Sequence, residues 1–160
     1  MTRHKTPVTP AVRVLRGERV PFQEHPYAYE ENGGTAVFAR ETGVEENSVI
    51  KTLVMEDETA RPMIVLMHGD LEVSTKALAR QIGCKSVKPC DPATANRHSG
   101  YKVGGTSPFG TRKPMPVYCE KTIMDLPLIY INGGSRGFSL SLTPGDMARI
   151  LTPTLVSVAR

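Results

Sequence analysis

The sequence predicts an α+β domain: one mixed, largely antiparallel β-sheet, barrel-like in outline, flanked by short helices. Two patterns carry that reading. A capping side chain followed at once by proline recurs three times, each time ahead of a short helix-forming stretch. Between the helical stretches lie runs rich in β-branched and aromatic residues, bounded by turn formers and mostly joined as hairpins.

Thr9-Pro10 precedes AVRVLR, Asp91-Pro92 precedes ATANR, and Thr143-Pro144 precedes GDMARIL. In each, the cap oxygen accepts from orphan N–H groups, and the proline ring takes the first helical position, where no donor is needed. Two more helices are predicted from Thr35 through Glu41, closed near Gly43, and from Ser74 through Gln81, closed at Gly83. Strands are predicted at VPFQEH (20–25), IKTLVM (50–55), PMIVLM (62–67), MPVYCE (115–120), LPLIYI (126–131) and GFSLSL (137–142), with EDETARP as a hairpin loop. Alternation in FSLSL predicts a half-buried antiparallel strand, and IVLM a central one. No repeat or linker divides the chain, so 9–160 is expected to form one domain behind a loose tail at 1–8.

The 160 residues suffice for a real core, and 39% hydrophobic with 22% charged residues is ordinary for a globular chain. No apolar run reaches the roughly 18 residues of a membrane span, and MTRHKTPVTP lacks the apolar stretch of a secretory signal. A cytoplasmic protein is expected. Cys84, Cys90 and Cys119 match no zinc or redox spacing, and His4, His25, His68 and His98 are scattered, so neither metal nor cofactor is expected. Charge is uneven. Residues 1–84 carry ten Lys/Arg against twelve Asp/Glu, whereas 85–160 carry ten against four. That asymmetry fits a polyanion approaching the second half, or simply a basic solvated surface.

Two features bear on chemistry. Lys51 opens KTLVM behind Val49-Ile50, which places a cation at one end of the sheet, suited to a phosphate or a developing oxyanion, or else pointing into solvent. The stretch GYKVGGTSPFG (100–110) sets Gly104 and Gly105 before Thr106 and Ser107. Adjacent glycines let backbone N–H groups converge on an anion or carbonyl oxygen, though a flexible surface turn would read the same way. It is neither a P-loop nor a Rossmann turn. A second glycine pair, Gly133-Gly134 in INGGSRG, sets Arg136 at a bend, and a pocket shared by the two segments is expected. No G-x-S-x-G, HExxH or Cys-x-x-Cys pair occurs, so an enzyme built this way lacks a protein nucleophile and a metal.

Lys51-Thr52-Leu53, SGYKVGGTSPFG, the INGGSRG turn, and Phe22 followed by Tyr27 resemble the YbaK/ProX-type aminoacyl-tRNA editing domains, and among them the Cys-tRNA(Pro) deacylases. The resemblance runs from TPAVRVL to LVSVAR. It implies hydrolysis, in trans, of the ester joining a wrong amino acid to tRNA(Pro), with the substrate's own thiol assisting and a prolyl-tRNA synthetase as partner. It implies Lys51, Gly104 and Gly105 as catalytic groups. Tyr27, Phe22, Thr106, Ser107, Gly133, Gly134 and Arg136 are implied to line the substrate site. Asn132 and Ser139 depart from the family pattern, where serine and an acidic residue are usual, which leaves alanine open as the amino acid removed. A non-catalytic tRNA-end-binding module is the reading from a different class.

Overall fold

Cysteine-free and rich in aliphatics, the run Pro62–His68 is buried on both faces and forms the middle of the sheet around which the chain is built. The structure is a computed structural model that describes residues 6–160. Its elements in order are α1 (Pro10–Gly17), β1 (Gln23–Pro26), α2 (Gly34–Thr42), β2 (Val49–Asp57), β3 (Pro62–His68), α3 (Thr75–Ile82), β4 (Val87–Pro89), α4 (Pro92–Ser99), β5 (Val117–Glu120), β6 (Ile129–Ser135), β7 (Phe138–Leu142), α5 (Pro144–Leu151) and β8 (Thr154–Val156).

The helix boundaries follow the capping chemistry. Thr9, Ser74, Asp91 and Thr143 accept from the amides of Val12, Ala77, Thr94 and Asp146, each cap contributing about 1 kcal/mol. Gly43 and Gly83 close their helices in the left-handed conformation.

The sheet runs β1-β7-β6-β2-β3-β5-β8, with β4 added on the β6 side of β2. Pairs β1/β7, β6/β7, β2/β3 and β2/β4 are antiparallel; β2/β6, β3/β5 and β5/β8 are parallel. The barrel-like outline expected from the sequence is not realised: the order ends at β1 and β8, and the sheet is open. The physical reason lies in the faces. A closed barrel encloses one core, whereas this sheet buries a separate apolar cluster on each side. One joins Ile50, Ile64, Leu66, Ile131 and Leu140 to α1, Phe109 and Met147. The other joins Met55, Met63, Val65 and Met67 to Leu78 and Ala79 of α3 and to Val156 and Val158.

β7 is buried along its whole length rather than on alternate residues, because its serine face is covered too. Ser141 is hydrogen-bonded to His25 Nε2 at 2.7 Å, and His25 lies edge-on to Phe38 of α2 and to Tyr130. β4 and β8, three residues each, were too short to register as a period of two. Of the tail expected at 1–8, residues 1–5 lie outside the described residues; Thr6 hydrogen-bonds Glu24. Among the described residues, no helix is long and apolar enough to cross a membrane.

Candidate functional site at a fork in the sheet

Lys51 sits where the sheet divides. β6 pairs with β2 at Val49 and Ile50, and β4 pairs with it only from Met55 to Asp57. Among the described residues no strand covers Lys51–Val54 on that edge; the Cys90 amide donates to the Val54 carbonyl instead. The motif KTL therefore lines a fork with one strand neighbour, β3, behind it. Lys51 lies opposite Met67, so its stem runs along the edge of the second apolar cluster. Its ammonium donates to the Leu71 carbonyl at 2.7 Å, which fixes the cation at the mouth of the fork. The hydroxyl of Thr52, buried in the same stretch, has no hydrogen-bond partner among the described residues. An unsatisfied buried hydroxyl costs about 1–3 kcal/mol and is uncommon.

Next to the fork the two glycine-rich segments interlock, as expected. Ile50 pairs with Ile131, so Asn132 is the residue that follows beside Lys51. Asn132 Oδ1 accepts from the amides of Gly134 (2.7 Å) and Ser135 (3.2 Å), while its Nδ2 donates to the Gly104 carbonyl (3.1 Å). This one side chain holds the β-bulge of β6 and clips the 100–110 loop to it. Arg136 adds a second tie, Nε to the Val103 carbonyl at 2.9 Å, with its guanidinium 5.2 Å from the centre of the Tyr29 ring. A cavity of about 420 Å³ opens at this junction, lined by Tyr101, Lys102, Gly105, Gly134, Ser135 and Arg136.

The glycines meet the protein's own chain. A Cβ on Gly105 would lie 2.8 Å from the Arg136 amide nitrogen, and one on Gly104, at φ +88°, would lie 2.7 Å from the Tyr29 hydroxyl. The Gly105 N–H donates to the Lys102 carbonyl, so it is already spent within the loop. Gly134 would collide with the Tyr101 ring, and Gly133 with Phe138 of the first cluster. Tyr27 donates its amide to Gly137, packs edge-on against Phe38, and has its phenol pKa raised by burial, then by Tyr29 and Glu41. Thr106 bonds back to Lys102, and Ser107 is fully buried under the loop, accepting from Phe109. Phe22 packs against the first apolar cluster, which also takes in Phe109 of the 100–110 loop. Asn132, singled out in the sequence only as a departure, proves to be the clip; no spacing rule announces a bulge.

The aminoacyl-tRNA editing domain family matches residues 31–150, a span that includes the fork, both glycine segments and the clip. The chain belongs to the aminoacyl-tRNA editing domain family. It is 31% identical over 153 residues, 90% of this chain and 93% of the relative, to Enterococcus faecalis EbsC, named provisionally as a Cys-tRNA(Pro)/Cys-tRNA(Cys) deacylase. It is also 25% identical over 84 residues to a proline–tRNA ligase of Brachyspira hyodysenteriae, covering 52% of this chain and 14% of the ligase. Among solved structures, a hypothetical protein superimposes with a TM-score of 0.87 at 17% identity, over 95% of this chain and all of the other. A protein described provisionally as a trans-editing enzyme for prolyl-tRNA synthetase does so with 0.81 at 19%, over 96% and 99%. At those identities the likeness is one of fold.

Proposed function

We propose that this editing domain hydrolyses the aminoacyl ester of Cys-tRNA(Pro) in trans, with Lys51 as the group on which the reaction depends. The observation that carries the reading is the fixed Lys51 ammonium at an uncovered strand edge, one residue across from the clipped glycine loops. A cation held there stabilises negative charge developing on the ester carbonyl oxygen or on the terminal phosphate. The domain's own thiols make poor nucleophiles: burial pushes Cys119 up to about 12, and burial with Glu56 pushes Cys90 up to about 11, so both stay protonated at neutral pH. The substrate's own cysteine sulfur is then the nucleophile at hand. It attacks the ester carbonyl, forming an S–C bond as the C–O bond to the ribose breaks and the thiol proton passes to the departing ribose oxygen. Water then opens the resulting cyclic thioester, restoring the thiol and leaving the free carboxylate.

Cysteine and proline are similar in size, and a cavity distinguishes such a pair by only about 1–3 kcal/mol, which leaves room for a separate editing step. The relatives' names point to the same substrate class. A prolyl-tRNA synthetase is the partner that would supply mischarged tRNA in the cytosol, and residues 9–160 form the working unit. Tyr27 and Arg136 border the substrate. The glycine loops shape that border.

The test compares deacylation of Cys-, Ala- and Pro-tRNA(Pro) by wild type and Lys51→Ala. Selective release of cysteine, slowed about 100-fold or more by the substitution, is expected from loss of one transition-state contact. Equal release of alanine would remove the thiol from the mechanism, and survival of all three esters would remove catalysis.

A further inference from the structure

A second cavity of about 420 Å³ lies outside the fork, between α3 and the segment leading into β4. Thr75, Lys76 and Arg80 line one wall; Cys84, Lys85 and Ser86 line the other. Lys76 and Arg80 stand four residues apart, hence on one face of α3. All three cations are exposed, and among the described residues none of them joins an ion pair, whereas Lys88 is paired with Glu56 and Arg61 with Asp57. The nearby acid is occupied as well: Glu58 Oε1 accepts from the Lys85 and Ser86 amides at 2.9 and 3.3 Å. Cys84 adds no negative charge, because burial and then Glu58 and Asp57 raise its thiol pKa.

We propose that this cleft binds the phosphate backbone of the RNA substrate, a short way from the acylated end. The inference rests on the editing reading above. Three unpaired cations and two hydroxyls around one concavity match a phosphodiester in charge and in donors. The connection to the fork is short. Lys51 is anchored to Leu71, and four residues on from Leu71 the chain reaches Thr75 at the cleft. Four residues span at most about 14 Å. The uneven charge of the two halves of the sequence directs a polyanion to residues 85–160, yet two of the three cations here come from before that boundary.

The experiment measures binding of an uncharged tRNA transcript to wild type and to Lys76→Gln/Arg80→Gln/Lys85→Gln across a salt series. The same two proteins are assayed for hydrolysis of cysteinyl-adenosine. Affinity should fall at least tenfold at low salt, and the slope of log K against log salt should become shallower by about 2–3, as three lost phosphate contacts require. Cysteinyl-adenosine hydrolysis should be unchanged. Unaltered tRNA affinity and slope would overturn the proposal, as would inorganic phosphate titrating the cleft while tRNA binding ignores the substitutions. Loss of cysteinyl-adenosine hydrolysis in the variant would also overturn it, placing the cations in the catalytic site. A wild type that hydrolyses nothing would sink the editing reading alone, since the tRNA slope is read independently.

Discussion

Asn132 does more for the shape of the site than any glycine beside it. Its amide serves three hydrogen bonds at once, two inside the bulge and one across to the loop. Each such bond contributes about 0.5–1.5 kcal/mol net. Asn132→Asp keeps an acceptor for Gly134 and Ser135 but turns the donor facing Gly104 into an oxygen; Asn132→Ala loses all three. Hydrogen exchange of the 100–110 amides should therefore speed up in both variants, with the larger drop in melting temperature in the alanine variant. Loop amides that exchange as slowly as in wild type would mean that Arg136 alone holds the two segments together. The same geometry explains Gly104 and Gly105: they are bare because Tyr29 and the Arg136 backbone occupy the space a side chain would need.

At the scale of elements, the Lys51 anchor depends on the C-terminal residues that follow β8. The segment carrying Leu71 is stitched to the chain end, Ser74 N–H to Val158 and Arg160 N–H to Glu72. The chain end is in turn held by Glu120 of β5, whose buried Oε1 accepts from the amides of Val158 (2.6 Å) and Ala159 (2.9 Å). Glu120→Ala orphans both donors, at about 1–3 kcal/mol each when buried. At about 2–4 °C per kcal/mol for a domain of this size, the melting temperature should drop by several degrees. Glu120→Gln, which keeps an acceptor, should fall in between. A Glu120→Ala protein melting with the wild type would show that the chain end does not need the carboxylate.

For the whole molecule, acid stability should reflect the histidines first and the carboxylates later. Burial lowers the pKa of His25 from its ordinary 6.5, and burial with Lys113 and Arg97 lowers that of His98. The unfolded chain thus binds protons more readily just below pH 6.5, so stability present above that value is lost as pH falls through the window. Asp57 and Asp91 are held below their ordinary 3.8, chiefly by hydrogen bonds from Thr59 and Thr94, and add their loss only at lower pH. Melting temperature should decline from pH 7 to pH 5, and His25→Gln should flatten part of that decline. An identical slope in the variant would remove His25 as its source.

The sequence by itself determined the five α-helices and the centres of the six longer strands, because N-caps at Thr9, Ser74, Asp91 and Thr143, the closing Gly43 and runs such as Pro62–His68 are local chemistry. It also singled out the two glycine segments, which meet as expected. Tertiary structure alone decided the open sheet, the added strands β4 and β8, and the fork at Lys51–Val54, since pairing between strands distant in the chain leaves no local periodicity. It decided too that Phe22 packs against the core, that Asn132 is the clip, and that Gly104, Gly105 and Gly134 yield to neighbours some thirty to seventy-five residues away in the chain. A side chain's propensity is written where it stands, but what it touches is set by the register of strands that meet only when the open sheet assembles between its two cores.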